Sequence, residues 1–170
     1  MKWIVRTSAA FVCMALAISA GFLAGQVHAS GAKPVDAPKE LHFVIHNSAM
    51  KVMKHDPNTD TIGDLLVAED PLYDTTDQQV VGKINGDFVL THVGDTPGHS
   101  VYEGSGTIIL PDGQISFEGP FTQHEAGSYY TITGGTQAYD NVHGQMHITA
   151  NETQMQEGTK YKIDLSYSQA

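Results

Sequence analysis

The chain has 170 residues, of which 41% are hydrophobic, and carries 9 Lys plus Arg against 19 Asp plus Glu, a formal net charge of −10. A strongly acidic chain with a single arginine, Arg6, is poorly suited to nucleic acid or anionic membrane surfaces, both of which select for basic side chains. Its one cysteine, Cys13, excludes an intramolecular disulfide framework.

The first 29 residues read as a secretory signal peptide. Lys2 and Arg6 form a positive start, Phe11 to Leu23 is mostly apolar, and Val27-His28-Ala29 is a small-residue cleavage site. The apolar run is shorter than the ~20 residues that span a bilayer, so cleavage after about Ala29 is expected, with no stable membrane insertion. The expected location is secreted or periplasmic. Cleavage would remove Cys13, Trp3 and Arg6 and leave seven Lys against nineteen acidic residues, 7 − 19 = −12. The remaining length suffices for one domain with a real interior.

Residues 30–40 contain Gly31, Pro34 and Pro38, show no periodicity, and read as a flexible leader. A single domain then spans residues 41–170. Leu41, Phe43 and Ile45 alternate with His42, Val44 and His46, the period of a half-buried strand. A polar stretch from Ser48 to Thr61 follows, with His55-Asp56-Pro57-Asn58 as a turn; its length suggests a lid or mouth loop. A second strand starts at Gly63 and breaks near Pro71. A third runs from Val80 to Val93. Ser100 to Leu110 and Gln114 to Phe121 flank the hairpin turn Pro111-Asp112-Gly113. Ser128 to Thr133 ends at Gly134-Gly135, where the backbone turns sharply. Val142 to Thr149 and Lys160 to Ser168 complete the set. Eight strands, short connections and no helix predict an all-β, calycin-like fold: an eight-stranded antiparallel closed barrel, with a two-sheet sandwich as the alternative. Glycines within strands, such as Gly86, Gly104 and Gly106, allow the bends that closure needs.

Four pieces in order carry a resemblance: Gly63-Asp-Leu-Leu, Leu72-Tyr-Asp74, Gly113-Gln-Ile-Ser-Phe-Glu-Gly-Pro-Phe121 and Tyr129-Tyr-Thr-Ile-Thr-Gly-Gly-Thr136. Together they resemble the allene oxide cyclase family, related to the plant dirigent proteins. The resemblance covers about Leu41 to Tyr167. It implies an eight-stranded barrel, often trimeric, whose interior takes an oxylipin epoxide or phenolic radicals. It also implies that Asn47 stands where the plant cyclases have a first-strand asparagine, that Asp70 replaces a water-holding asparagine, and that Tyr129 matches a cavity tyrosine. Ile45 occupies the position of a glutamate, and Phe88 that of a cysteine. These departures argue against plant-type cyclase activity.

The same register places Phe88, Leu90 and His92 on the inner wall, with Ile115, Phe117 and Phe121 opposite. The candidate ligand contacts are therefore Asn47, Phe88, Leu90, His92, Phe117 and Tyr129. Asp70 and Asn47 are the candidates for chemistry; for Asp70, beside Pro71, the plainer reading is a turn former. The pairs His42/His46 and His143/His147 are four apart, which on a strand separates them by ~13 Å, too far to share one ion. No metal and no cofactor is expected. Asn151-Glu-Thr153 fits a glycosylation pattern, meaningful only in a eukaryotic secretory route. Two functions stay open: a barrel that binds a small hydrophobic ligand, and an isomerase or cyclase that templates one. A third reading is a filled, structural barrel.

Overall fold

The computed structural model describes residues 37–46, 50–96, 99–122, 127–150 and 158–170. The signal-peptide and leader readings, Asn47 and the Asn151 acceptor pattern lie outside them. Nine strands follow in order: β1 (Lys39–His46), β2 (Lys51–Met53), β3 (Leu65–Tyr73), β4 (Val80–His92), β5 (Val101–Leu110), β6 (Gly113–Thr122), β7 (Ser128–Gln137), β8 (Val142–Ala150) and β9 (Lys160–Gln169). Each of β3 to β9 pairs antiparallel with its successor, β9 pairs with β1, and β1 pairs with β3. Eight strands thus close on themselves as an up-and-down barrel, and β2 extends the wall beside the start of β3. Among the described residues no helix is long and apolar enough to cross a membrane.

Period-two alternation sets the inside. On β9, Tyr161, Ile163, Leu165 and Tyr167 are buried while Lys160, Lys162, Asp164 and Ser166 are exposed. Cross-strand register carries that choice round the barrel: Ile163 faces Phe43 and Ile148, and Leu165 faces Leu41 and Met146. One core of twenty buried hydrophobic residues results, with Leu72, Leu90, Ile108, Ile115, Met146 and Ile163 fully enclosed. Completely burying a side chain of this kind stabilises by roughly 1.5–3 kcal/mol.

Closure is uneven. β1 matches β9 over eight residue pairs, but meets β3 at only two, Val44 with Tyr73 and Ile45 with Leu72. β2 takes up the far part of β3, pairing Lys51 with Val67. Ile45–Leu72 and Lys51–Val67 are one residue out of step, as across a β-bulge. Between these ladders, Ala68 to Pro71 pair only with β4 among the described residues. Pro71 has no N–H to offer, and a one-sided position is where a strand tolerates it. The strand therefore continues through Pro71 to Tyr73 instead of breaking there. The expected long loop after β1 likewise contains a strand, β2, because Lys51–Met53 reaches the otherwise open edge of β3.

The tight turns close one end. Tyr139, in the β7–β8 turn, donates its hydroxyl to Asp112 of the β5–β6 turn at 3.0 Å and meets Tyr167 edge-on. Burial, followed by the Asp112 carboxylate, pushes the Tyr139 phenol up to about 12, so it stays a donor. Gly135 makes this plug possible. A Cβ there would lie 2.3 Å from the Tyr139 carbonyl oxygen and 2.5 Å from that of Gln114.

Candidate functional site

An interior cavity of about 70 Å³ lies between β1, the middle of β3 and β4, β6, β7, β8 and β9. Its rings come from Phe88 on β4, Phe117 and Phe121 on β6, and Tyr130 on β7, with Tyr161 from β9. They pack obliquely: Phe117 meets Tyr130 at 5.3 Å and 75°, Phe88 meets Tyr130 at 6.1 Å and 66°, and Phe88 meets Phe121 at 5.9 Å and 51°. Glycines on the neighbouring strand make room for two of them. Gly104 is opposite Phe88 and Gly106 is opposite Phe117. A Cβ at Gly104 would fall 2.0 Å from the Asp87 carbonyl oxygen, and one at Gly106 2.3 Å from the Phe117 ring.

The polar chemistry is sparse. Asp70 is 4% exposed and lines the cavity from the middle of β3, its register shared with Leu66, Ala68 and Leu72. It is not a turn former; the strand carries its carboxylate inward. Tyr130 and Tyr161 bring phenols to the same lining. Burial raises the Tyr130 phenol above its ordinary value, opposed by a hydrogen bond with Ser128, so the group remains protonated and can donate. No Lys, Arg or His lines the cavity. Among the described residues no three His, Cys, Asp or Glu side chains converge in a way that could hold a metal ion.

The predicted site residues divide. Phe88 and Phe117 line the cavity, as does Ile45. Leu90 is fully buried in the core but is not part of that lining. His92 is exposed, contrary to expectation. The β4–β5 ladder slips between Leu90 and His92, so simple alternation from Phe88 no longer predicts which way His92 faces. Tyr129 is also a correction: it is 62% exposed and stacks on His147 at 4.0 Å, on the outside of the wall. Its neighbour Tyr130 is the inward tyrosine, in phase with buried Ile132. Alternation alone held that signal, because the face carrying Ile132 is the apolar one. The other histidines join outward pairs: His42 with Asp164 and His46 with Asp77, each at 2.6 Å.

A closed antiparallel barrel with an apolar, ring-lined interior and one inward carboxylate defines the class. The family model described as "Allene oxide cyclase barrel like domain" matches residues 46–163. The chain belongs to this allene oxide cyclase-like barrel family. Among solved structures, a pyocyanin demethylase is 24% identical and superposes with a TM-score of 0.60, covering 75% of this chain and 99% of its own. The pterocarpan synthase dirigent protein PsPTS1 is 18% identical, with a TM-score of 0.63 over 79% of this chain and 97% of its own. The Diels-Alderase AbmU from Streptomyces koyangensis is 12% identical, with a TM-score of 0.60 over 78% of this chain and 69% of its own. At these identities the likeness is one of fold. A search of curated protein sequences gave no match.

Proposed function

We propose that the barrel binds a small, mostly hydrophobic molecule in its interior. The observation that carries this reading is the cavity itself: an apolar, ring-lined space that includes the buried carboxylate of Asp70. Few polar groups in an apolar pocket are the usual composition of a small-molecule site. The space is smaller than the ~150 Å³ that accepts a benzene ring, so a larger ligand enters by displacing side chains. Met50, Phe121 and Ile148 are partly buried at the lining and are the ones that can yield, Met50 most easily. The names of the similar structures, a demethylase, a synthase and a Diels-Alderase, fit a barrel that handles small molecules. Native mass spectrometry of the protein purified from its own host should show a co-purified small mass, lost on denaturation. A bare protein that also fails to bind small aromatic probes such as indole sinks the proposal in favour of a filled, structural barrel.

A second reading, an isomerase or cyclase acting by conformational templating, is favoured by Asp70 lying inside the barrel. A carboxylate held against a bound substrate can move a proton while the walls fix its shape. Plant-type chemistry is not part of this reading, since Ile45 and Phe88 line the cavity as apolar groups. Deuterium incorporation into the co-purified ligand, measured by NMR in heavy water and abolished in Asp70→Asn, would support the enzyme; incorporation unchanged in that variant would exclude this role for Asp70.

We also propose export, with Ser30 as the mature N-terminus on sequencing, and self-association. The exposed Met53, Val67 and Val89 on the outer face of β2–β4 support a homo-oligomer, which light scattering would report as a multiple of the monomer mass.

A further inference from the structure

The cavity is asymmetric in charge. It contains one carboxylate, Asp70, and no basic side chain. The only arginine of the sequence is Arg6, and the described lysines lie at exposed strand and loop positions: Lys39, Lys51, Lys54, Lys83, Lys160 and Lys162. A carboxylate or phosphate ligand would meet no counter-charge inside and would face Asp70, a repulsion strengthened by the low dielectric of an apolar interior. A cationic nitrogen would instead meet Asp70 together with the π-systems of Phe88, Phe117, Phe121 and Tyr130. Aromatic rings around a methylated ammonium are a recurrent recognition device, and Trp, Tyr or Phe faces attract a desolvated cation. The cavity volume suits a compact charged group better than a polycycle.

We propose that the barrel selects ligands bearing a compact cationic nitrogen, an alkylated ammonium or N-alkylated heteroaromatic group, and rejects carboxylate-bearing lipids. This deepens the proposed small-molecule site and rests on it. Asp70 gives the charge discrimination, and the rings exclude water around the cationic group. The selectivity is opposite in sign to what an anionic oxylipin would need.

Isothermal titration with three probes tests it: choline, its neutral isostere 3,3-dimethylbutan-1-ol, and hexanoate. The expected result is choline tighter than the isostere by roughly 10- to 30-fold, with hexanoate weakest. Asp70→Asn should bring choline and the isostere within about threefold of each other. Glu69→Gln removes a charge from the next residue on the outer face and should leave the ratio unchanged, which separates Asp70 from the general acidity of the chain. If Asp70→Asn does not fold, the ratio in unmodified protein, measured at low and high salt, decides alone. Equal binding of choline and the isostere, or preference for hexanoate, overturns the selectivity while leaving the small-molecule site intact. Failure of all three probes overturns the selectivity too; if indole also fails and no ligand co-purifies, the site itself is lost.

Discussion

Asp64 shows how single carboxylates organise this acidic chain. It is 1% exposed and accepts the backbone N–H groups of His55 and Thr61, both at 2.9 Å, and the His55 ring nitrogen at 3.0 Å. Those bonds, the His55 amide first, hold its acidity below the ordinary 3.8. A lowered folded-state value means the stabilisation is complete above pH 3.8 and disappears as pH falls through the lower value. Amide exchange at His55 and Thr61 should therefore accelerate below pH 3.8, and Asp64→Asn should show the faster exchange at neutral pH as well. Core positions carry larger effects. Phe117→Ala should cost about 3–5 kcal/mol in urea unfolding. Gly104→Ala, whose new methyl meets backbone on the facing strand, should cost about 1–3 kcal/mol. Tyr129→Ala should stay within about 0.5 kcal/mol and leave ligand affinity unchanged, whereas Tyr130→Ala should weaken it. The site was partly legible before the structure. Phe88 and Phe117 followed from alternation, but Tyr129 was assigned by likeness to a family position where the apolar phase favoured Tyr130. His92 was misplaced because a one-residue slip leaves no mark in the hydrophobic pattern. For Asp70, an Asp-Pro dipeptide signals a turn unless the far side of the strand is unpaired, and pairing is not written locally.

The strands tell a similar story at the next scale. Seven barrel strands from β3 onward were readable from period two and Gly, Pro or Asp punctuation, because each hairpin is local in sequence. The β1–β3 seam was not, since it joins elements through only two residue pairs and a three-residue neighbour. A side-chain clasp reinforces that seam. Asp77, in the β3–β4 connection and in the left-handed region at φ 59°, binds His46 of β1 at 2.6 Å and Lys160 of β9 at 2.5 Å. His46 in turn stacks on Tyr73 at 4.7 Å. The hydrogen bond from Lys160, then that from His46, holds Asp77 below 3.8, so the clasp is intact above that pH and is lost as pH falls through the lower folded-state value. Asp77→Ala should raise hydrogen exchange at Val44, Ile45, Leu72 and Tyr73 selectively, with β5–β6 unchanged. Uniform acceleration round the barrel would mean that the clasp supports global stability instead of the seam.

At the scale of the molecule, one core joins all the barrel strands, and the barrel domain contains no cysteine. Removing β9 would leave β1 and β8 each with an open edge, so a chain ending before Lys160 should show no cooperative thermal transition. β9 also brings the two ends of the domain together. Lys39 is paired with Tyr167, its ammonium reaches the Gln169 amide oxygen at 3.5 Å, and the Gln169 amide nitrogen donates to the carbonyl of Asp140 at 2.8 Å. Start and finish thus leave the barrel side by side, near the turn plugged by Tyr139. The order of strands round the wall is a ring, and the position where translation begins is arbitrary with respect to it. A short linker from residue 169 to residue 39, with new ends opened at the Pro111-Asp112 turn, should give a circular permutant with the same wall and the same interior.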